Sequence, residues 1–390
     1  MFIASTADND LYKFTMQNGV CNMYPREIVQ YDFFIREDRE FPDGFGKLLQ
    51  EAVDSFRGLV LPKNVEDYIK KNCYFFSPVY VDFLKGYKYD PSEVEITQKG
   101  SKISVRVRGY WYRTILWESP LMATISNLYF EMTGQTTLTR DQRREINKTK
   151  AEALERMKAL FSEFGVRRRS SFENHNEVIG DLKEFAPTAL IGTSNLHLAA
   201  EHNIKVIGTQ AHEWFMFHGA KFGFGMANQM GLKKWVDVYQ GDLGIALTDT
   251  FTSQSFYETA FTTKFAKLFD GVRHDSGKAL KFVDLTVDHY NKLRINPKLK
   301  SIVFSDGISS IKAVEEIKAY CKGKINDAYG IGTWMTNDVG LKPLNIVIKL
   351  TAVLINGVWV PTVKLSDSPT KNTGPLETIS LCKEALRIDS

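Results

Sequence analysis

The sequence predicts an α/β protein with a parallel, barrel-like sheet, and three observations lead there. From about residue 185, short apolar runs end in small polar residues: 188–195, 204–212, 243–252, 269–277, 301–307 and 328–336. Helical segments such as 278–293 and 308–320 separate most of them, and strand, polar tip, helix in repetition is the grammar of parallel βαβ units. The runs are almost continuously apolar, which fits a sheet covered on both faces. Six polar tips at strand carboxyl ends predict one active face, as in a barrel. A doubly wound open sheet has the same local pattern, so periodicity leaves that layout open.

The remaining elements follow in order. Residues 45–59 carry apolar side chains at helical spacing, and 92–116 holds two alternating runs about a Lys-Gly-Ser turn, a hairpin signal. The stretch 121–132 predicts a buried helix, and 140–165 a long charge-laced helix stopped by Gly165. Beyond Thr333 the grammar becomes antiparallel again: 345–367 contains two β runs about Ile-Asn-Gly-Val. We therefore expect an N-terminal α/β domain over 1–125, an α/β barrel with the active face over 126–340, and a segment, 341–390, returning to the N-terminal domain.

Composition narrows the function class. With 390 residues, 43% hydrophobic and 25% charged, the chain is long enough for a large core of ordinary soluble type. A net charge of +4 is too mild to indicate nucleic acid, and Glu145, Glu152 and Glu155 interleave with the basic residues of 140–165, predicting a solvated face. No stretch approaches the roughly 18–20 apolar residues of a membrane span, and the start lacks secretory-signal grammar. Four scattered cysteines without CxxC spacing argue against a disulfide framework or zinc site, so a cytoplasmic location is expected.

Collected on one face, the tips offer Thr193, Ser194, Thr209, His212, Asp249, Arg273, Asp275, Ser276, Ser305, Asp306, Gly330, Gly332 and Thr333. Each Ser, Thr or Asp alone reads as a helix N-cap, and His212 alone as a packed core histidine; the ensemble with Arg273 reads as chemistry. Gly330-Ile331-Gly332-Thr333 suits phosphate, because glycines let backbone N–H groups approach an anion and Thr333 adds a hydroxyl. It has neither Walker lysine nor GxGxxG spacing, so no ATPase P-loop or dinucleotide fingerprint is supported. Arg273 can pair a small anion in forked geometry. Asp249, Asp275 and Asp306 offer oxygen ligands suited to Mg²⁺. Arg167-Arg168-Arg169 is ordinarily a solvated loop and here can hold a phosphate or pyrophosphate. No GxSxG elbow or HExxH is present.

At these residues the sequence closely resembles nicotinate phosphoribosyltransferases, in blocks running the length of the chain. They are ADNDLYKFTMQNGV (7–20), ILWESPLMATIS (115–126), FGVRRRSSFE (164–173), IGTSNLHLA (191–199), GTQAHEWF (208–215), GIALTDTF (244–251), GVRHDSG (271–277), IVFSDG (302–307), YGIGTWMTND (329–338), KPLNIVIKL (342–350) and VKLSDSP (363–369). The resemblance implies an irregular α/β barrel with a split α/β sandwich domain built from both chain ends, and a homodimer. It implies joining nicotinate to phosphoribosyl pyrophosphate, giving nicotinate mononucleotide and pyrophosphate, coupled to ATP hydrolysis with Mg²⁺. It implies that His212 accepts a phosphoryl group, that Tyr12, Thr209 and Arg273 contact nicotinate, and that Thr333 serves the phosphoribosyl end. Gly330, Gly332, Ser305 and Arg167 join the phosphate candidates, and Ser194, Asp249, Asp275 and Asp306 the remaining active-face candidates, with the Mg²⁺ ligands left open.

Two positions depart from the family pattern: Lys278 follows Arg-His-Asp-Ser-Gly where an acid is frequent, and Trp334-Met335 follows the glycine turn where Arg-Leu is frequent. Sister enzymes acting on quinolinate or nicotinamide are the nearest rivals, and quinolinate would want more cations at the ring site. A nucleic-acid-binding protein using 140–148 and 167–169, or a barrel that has lost its chemistry, are rivals of other classes. Neither nucleic acid nor a membrane is an expected partner.

Overall fold

The computed structural model describes residues 2–388. Its twelve strands are β1 (Ile28–Ile35), β2 (Val94–Lys99), β3 (Lys102–Tyr110), β4 (Phe161–Glu163), β5 (Leu190–Thr193), β6 (Lys205–Val206), β7 (Ile245–Leu247), β8 (Gly271–His274), β9 (Ser301–Phe304), β10 (Asn326–Ile331), β11 (Ile346–Ile355) and β12 (Val358–Pro361). The chain divides into two compact units. One comprises Met1–Cys21, Gln30–Gly208 and Ile331–Lys349, the other Asn22–Val29, Thr209–Gly330 and Leu350–Ser390.

In the first unit, β4, β5 and β6 pair in parallel, with Glu163 opposite Thr193 and Thr193 opposite Val206. The hairpin about Gly100 forms as the alternation predicts: β2 and β3 run antiparallel from Val94↔Val107 to Lys99↔Lys102. Gly100 takes a left-handed φ of 55°, where a side chain would be strained. The buried helix is Glu118–Met132, and the fully buried Trp111 and Trp117 mark this unit's core.

Helix 140–165 is shorter than its periodicity predicts. It spans Arg140–Met157, capped by a Thr139–Gln142 capping box and ended by Lys158 at φ 52°. Residues 161–163 are β4 instead, because Phe161 lies fully buried beside Leu190 of β5. Its basic face is packed against charge: Arg140 and Arg144 reach Asp181 at 2.6 and 2.7 Å, and Arg143 reaches Glu177 at 2.6 Å. The cations that could suggest nucleic acid are therefore engaged with helix Phe172–Phe185.

In the second unit, β7 to β10 form a parallel series, each neighbour pair in register, such as Arg273↔Val303 and Tyr329↔Phe304. Helix Ala279–Lys292 separates β8 from β9, and Ile311–Cys321 separates β9 from β10. Trp214 and Trp235 are buried in this core. The second hairpin forms about Asn356 (φ 50°) and Gly357 (φ 81°), the left-handed pair that an Asn-Gly turn accommodates, with Ile355 opposite Val358. Among the described residues no helix is long and apolar enough to cross a membrane.

Candidate active site

Few of the polar tip residues are spent on capping. The side chains that cap the following helices are Asn195, accepting from Leu198 N at 3.0 Å, Thr252, accepting from Ser255 N at 3.2 Å, and Ser310, accepting from Ala313 N at 3.2 Å. The candidate residues are left for other partners.

His212 opens helix His212–Phe222, directly after the Gly-Thr-Gln-Ala loop that follows β6. Its Nε2 lies 2.8 Å from Asp275 Oδ2 and 2.9 Å from Lys364 Nζ, and its Nδ1 lies 3.0 Å from the Thr250 hydroxyl. The side chain is only 8% exposed. Burial, joined by the Lys364 charge, lowers its pKa to about 4 despite the pull of Asp249 and Asp275, so the imidazole is neutral near pH 7. A neutral ring carries one proton and therefore makes one of two patterns. Either Nε2–H donates to Asp275 and Nδ1 accepts from Thr250, or Lys364 donates to Nε2 and Nδ1–H donates to Thr250.

Asp275 is itself held by its neighbours. Burial alone would raise its carboxyl, but Arg273, His212 and Lys364 outweigh that and hold it well below the usual carboxylate range. The Ser305 hydroxyl donates to Asp275 Oδ1 at 2.8 Å, and Arg273 lies 3.9 Å from Oδ2. Asp249 accepts from Ser276 at 2.6 Å on Oδ2, while its Oδ1 is buried without a hydrogen-bond partner. Arg273 Nε is likewise buried and unpartnered. The cluster thus holds a buried acceptor and a buried guanidinium donor with hydrogen-bonding capacity to spare.

The same cluster tests whether a divalent cation fits. One ligand atom each of His212, Asp249 and Asp275 lies within 4.8 Å of the others. The two carboxylates suit a hard cation such as Mg²⁺, and the imidazole is the poorer ligand of the three. Asp306 stands apart from this group, in an ion pair with Lys371 at 2.6 Å. The Thr209 hydroxyl donates to Ile245 O at 3.0 Å, which ties the His212 loop to β7.

Sequence reasoning missed the cations and acids that the C-terminal segment brings. Lys364 reaches His212, Leu365 N donates to Thr250 O at 2.8 Å, Asp367 accepts from Ser253 N at 2.7 Å, and Lys371 pairs with Asp306. The signal was the Val-Lys-Leu-Ser-Asp-Ser-Pro block, whose charged residues had no role assigned. Thr250 lay unremarked within the Thr-Asp-Thr-Phe block.

The first unit gathers Tyr12, Arg167 and Ser194. Tyr12 is the second residue of helix Leu11–Met23 and is 8% exposed, with the Arg167 guanidinium 5.8 Å and the Lys13 ammonium 5.7 Å from its ring centroid. Arg167 also lies 3.3 Å from Glu118, which pairs with the fully buried Lys13. Burial works to raise the Glu118 carboxyl, yet Lys13, Arg167 and Lys349 hold it below its ordinary value. The Ser194 hydroxyl is spent on Asp10 Oδ1, at 2.6 Å.

The arginine run is no solvated loop. Arg169 is 1% exposed and bonds Asp8 through both terminal nitrogens, at 2.6 and 2.7 Å, and Arg168 donates to Ile346 O at 3.2 Å. The partners of Arg168 and Arg169 lie far along the chain, so the local sequence does not announce them.

Gly330 is the penultimate residue of β10 and is buried; Gly332 is the N-cap and Thr333 the first residue of the short helix Thr333–Thr336, both half-buried. Phe164 N donates to Ile331 O at 2.8 Å, and the Thr336 hydroxyl donates to Gly165 O at 2.9 Å. Gly165 is required there: a Cβ would stand 2.1 Å from Thr336 Oγ1.

Parallel strands with polar residues at their carboxyl ends and a buried neutral histidine clasped by carboxylate and ammonium are the layout of an α/β enzyme. The particular family is given by comparison. Residues 7–126 match the nicotinate phosphoribosyltransferase N-terminal domain and 159–389 match the nicotinate phosphoribosyltransferase (NAPRTase) family. The nicotinate phosphoribosyltransferase of Chromohalobacter salexigens is 49% identical over 386 residues, covering 98% of both chains. That of Methanosarcina acetivorans is 41% identical, over 97% of this chain and 96% of its own. The crystal structure of nicotinate phosphoribosyltransferase from Porphyromonas gingivalis has the same α/β fold, with a TM-score of 0.96 at 39% identity over 99% of this chain and 100% of that one. The chain belongs to the nicotinate phosphoribosyltransferase family.

Proposed function

We propose that this protein transfers the phosphoribosyl group of phosphoribosyl pyrophosphate to nicotinate, and that it couples the transfer to ATP through a phosphorylated His212. Full-length family membership supports the first part. The observation that carries the second is the clasp on His212: a buried neutral imidazole between Asp275, Lys364 and Thr250.

In this reading Asp275 accepts the Nε2 proton, fixing the tautomer and leaving the Nδ1 lone pair free for attack. Thr250 is the neutral group on Nδ1, and its hydroxyl turns aside. Nδ1 attacks the γ-phosphorus of ATP; the N–P bond forms, the P–O bond to the β-phosphate breaks, and ADP leaves. Lys364 turns from Nε2 toward the new phosphoryl oxygens and offsets their charge.

The pyridine nitrogen of nicotinate then attacks C1 of phosphoribosyl pyrophosphate through an oxocarbenium-like state. The C1–O bond breaks with its electron pair going to pyrophosphate, and water later cleaves N–P to release phosphate. Pyridine is already nucleophilic, so positioning and charge stabilisation are the enzyme's task. Arg273 takes the nicotinate carboxylate, with Tyr12 and Thr209 contributing to the ring. Thr333, Gly330 and Gly332 take the phosphoribosyl phosphate, and Arg167 and Ser305 serve phosphate or pyrophosphate oxygens. Mg²⁺, held by Asp249 and Asp275 with substrate phosphates and water, would neutralise charge on the departing phosphates.

A homodimer in the reducing cytoplasm completes the reading. The test is labelling with γ-³²P-ATP: acid-labile, base-stable label on wild type and none on His212→Ala is expected, and equal label on both disproves the phosphohistidine.

A further inference from the structure

The residues that follow the glycine turn meet a buried cation. Lys150, on helix Arg140–Met157, is a cation in the interior at 5% exposure. Its Nζ donates to Trp334 O at 2.6 Å, lies 2.6 Å from Asp338 Oδ2, and stands 4.9 Å from the centroid of the Trp334 ring. One ammonium thus holds the backbone, the side chain and the acidic end of the segment that follows Thr333.

Two roles are open to such a cation. It can lend positive charge to a phosphate, or it can fix the turn in place. The geometry decides. Asp338 at 2.6 Å neutralises the ammonium locally, so little net charge is left for an anion. The bond to the Trp334 carbonyl acts on the very backbone that carries the Thr333 hydroxyl and the Gly332 and Thr333 amides. The far side of the segment is tied independently. Thr336 O accepts from Asn174 Nδ2 at 2.9 Å, and Asn337 Nδ2 donates to Arg168 O at 2.6 Å. Between Gly332 and Thr336, Lys150 is the tie at residue 334, where an unanchored turn would be free to tilt its donors away from a ligand.

We propose that Lys150 is a positioning residue for the phosphoribosyl phosphate: it presets the Gly330–Thr333 turn by clamping Trp334, and the cation–π contact makes tryptophan the matched partner there. This rests on the reading that the turn holds that phosphate. Preorganised donors bind without reordering, so loss of the clamp acts on substrate affinity before it acts on chemistry.

The experiment measures kcat and KM for phosphoribosyl pyrophosphate and for nicotinate, together with Tm, for wild type, Lys150→Met, Lys150→Arg and Thr333→Ala. Lys150→Met is expected to raise the phosphoribosyl pyrophosphate KM about tenfold, the order of one lost charge-assisted hydrogen bond, with kcat and nicotinate KM within about twofold. Lys150→Arg is expected to recover most of that loss, because a guanidinium reaches both oxygens. A lowered Tm with unchanged KM in Lys150→Met would show an ordinary structural tie and overturn the inference. If Lys150→Met gives no soluble protein, Lys150→Gln is read by the same split. Thr333→Ala separates the two levels. An unchanged phosphoribosyl pyrophosphate KM there removes the phosphate reading and this inference with it, whereas a raised KM in Thr333→Ala beside an unchanged one in Lys150→Met removes the inference alone.

Discussion

Replacing Asp275 by Asn probes the clasp on His212 with almost no change of shape. In the native arrangement Asp275 Oδ2 sits 2.8 Å from Nε2, and Ser305 donates to Oδ1 at 2.8 Å. In the orientation that keeps the shorter Ser305 bond, with the hydroxyl donating to the Asn oxygen at 2.8 Å rather than to His274 O at 3.1 Å, the NH₂ faces Nε2. That NH₂ donates to the Nε2 lone pair, so the ring proton moves to Nδ1 and the attacking lone pair is lost. Losing the charge-assisted bond costs about 1.5–3 kcal/mol, and restoring the productive tautomer leaves a buried donor unpaired, at about 1–3 kcal/mol more. Together these give roughly 10²- to 10⁴-fold slower phosphorylation, in the range found when a histidine-orienting aspartate becomes asparagine in a catalytic triad. The assay is rapid-quench incorporation of γ-³²P. A tenfold rise in Mg²⁺ is expected not to restore the rate, since the defect is the tautomer. Phosphorylation of Asp275→Asn at the wild-type rate refutes the reasoning, and full recovery with Mg²⁺ reassigns Asp275 to metal binding alone.

Other consequences are as direct. His212→Ala should abolish ATP hydrolysis coupled to turnover while ATP-independent phosphoribosyl transfer persists, measured as phosphate and nicotinate mononucleotide released in parallel. Arg273→Ala should raise the nicotinate KM by about 10- to 150-fold, from loss of a charge-assisted bond of roughly 1.5–3 kcal/mol; an unchanged KM contradicts its role. Asp8→Asn leaves the 1%-exposed Arg169 without its counter-charge and should destabilise by about 3–5 kcal/mol, lowering Tm by about 4–6 °C for a chain of 390 residues. Burial alone would raise the Asp8 carboxyl, but Arg169 holds it below its ordinary value. A depressed acid contributes above its unfolded pKa, so this stability is complete above about pH 4 and fades as pH falls through the folded value. Equal acid sensitivity of wild type and Asp8→Asn below pH 4 argues against that assignment.

Local signals carried far in this sequence. Alternation and Asn356-Gly357 gave the C-terminal hairpin, and the apolar runs with polar ends gave strands β5 to β10. β4 was hidden because Leu160, Phe161 and Phe164 continue the apolar spacing of the helix before them, and three residues are too few to show alternation. The chemistry at His212 was half legible. Residues from strand ends announced themselves, whereas Lys364 lies 152 positions from the histidine it touches and sits in a segment whose local pattern says only strand and turn. The partner of Arg169 was hidden for the same reason: Asp8 is 161 positions away, and burial of an ion pair leaves no periodic trace. Long-range electrostatic pairing is the information that one sequence, read locally, does not contain.

The measurement that bears most directly on the central claim is product formation from nicotinate, phosphoribosyl pyrophosphate and Mg²⁺, with and without ATP. The account predicts nicotinate mononucleotide and pyrophosphate in equal amounts, with ATP driving the yield higher and nicotinamide a poor substitute. Turnover of nicotinamide at the nicotinate rate, or a yield indifferent to ATP, would contradict it.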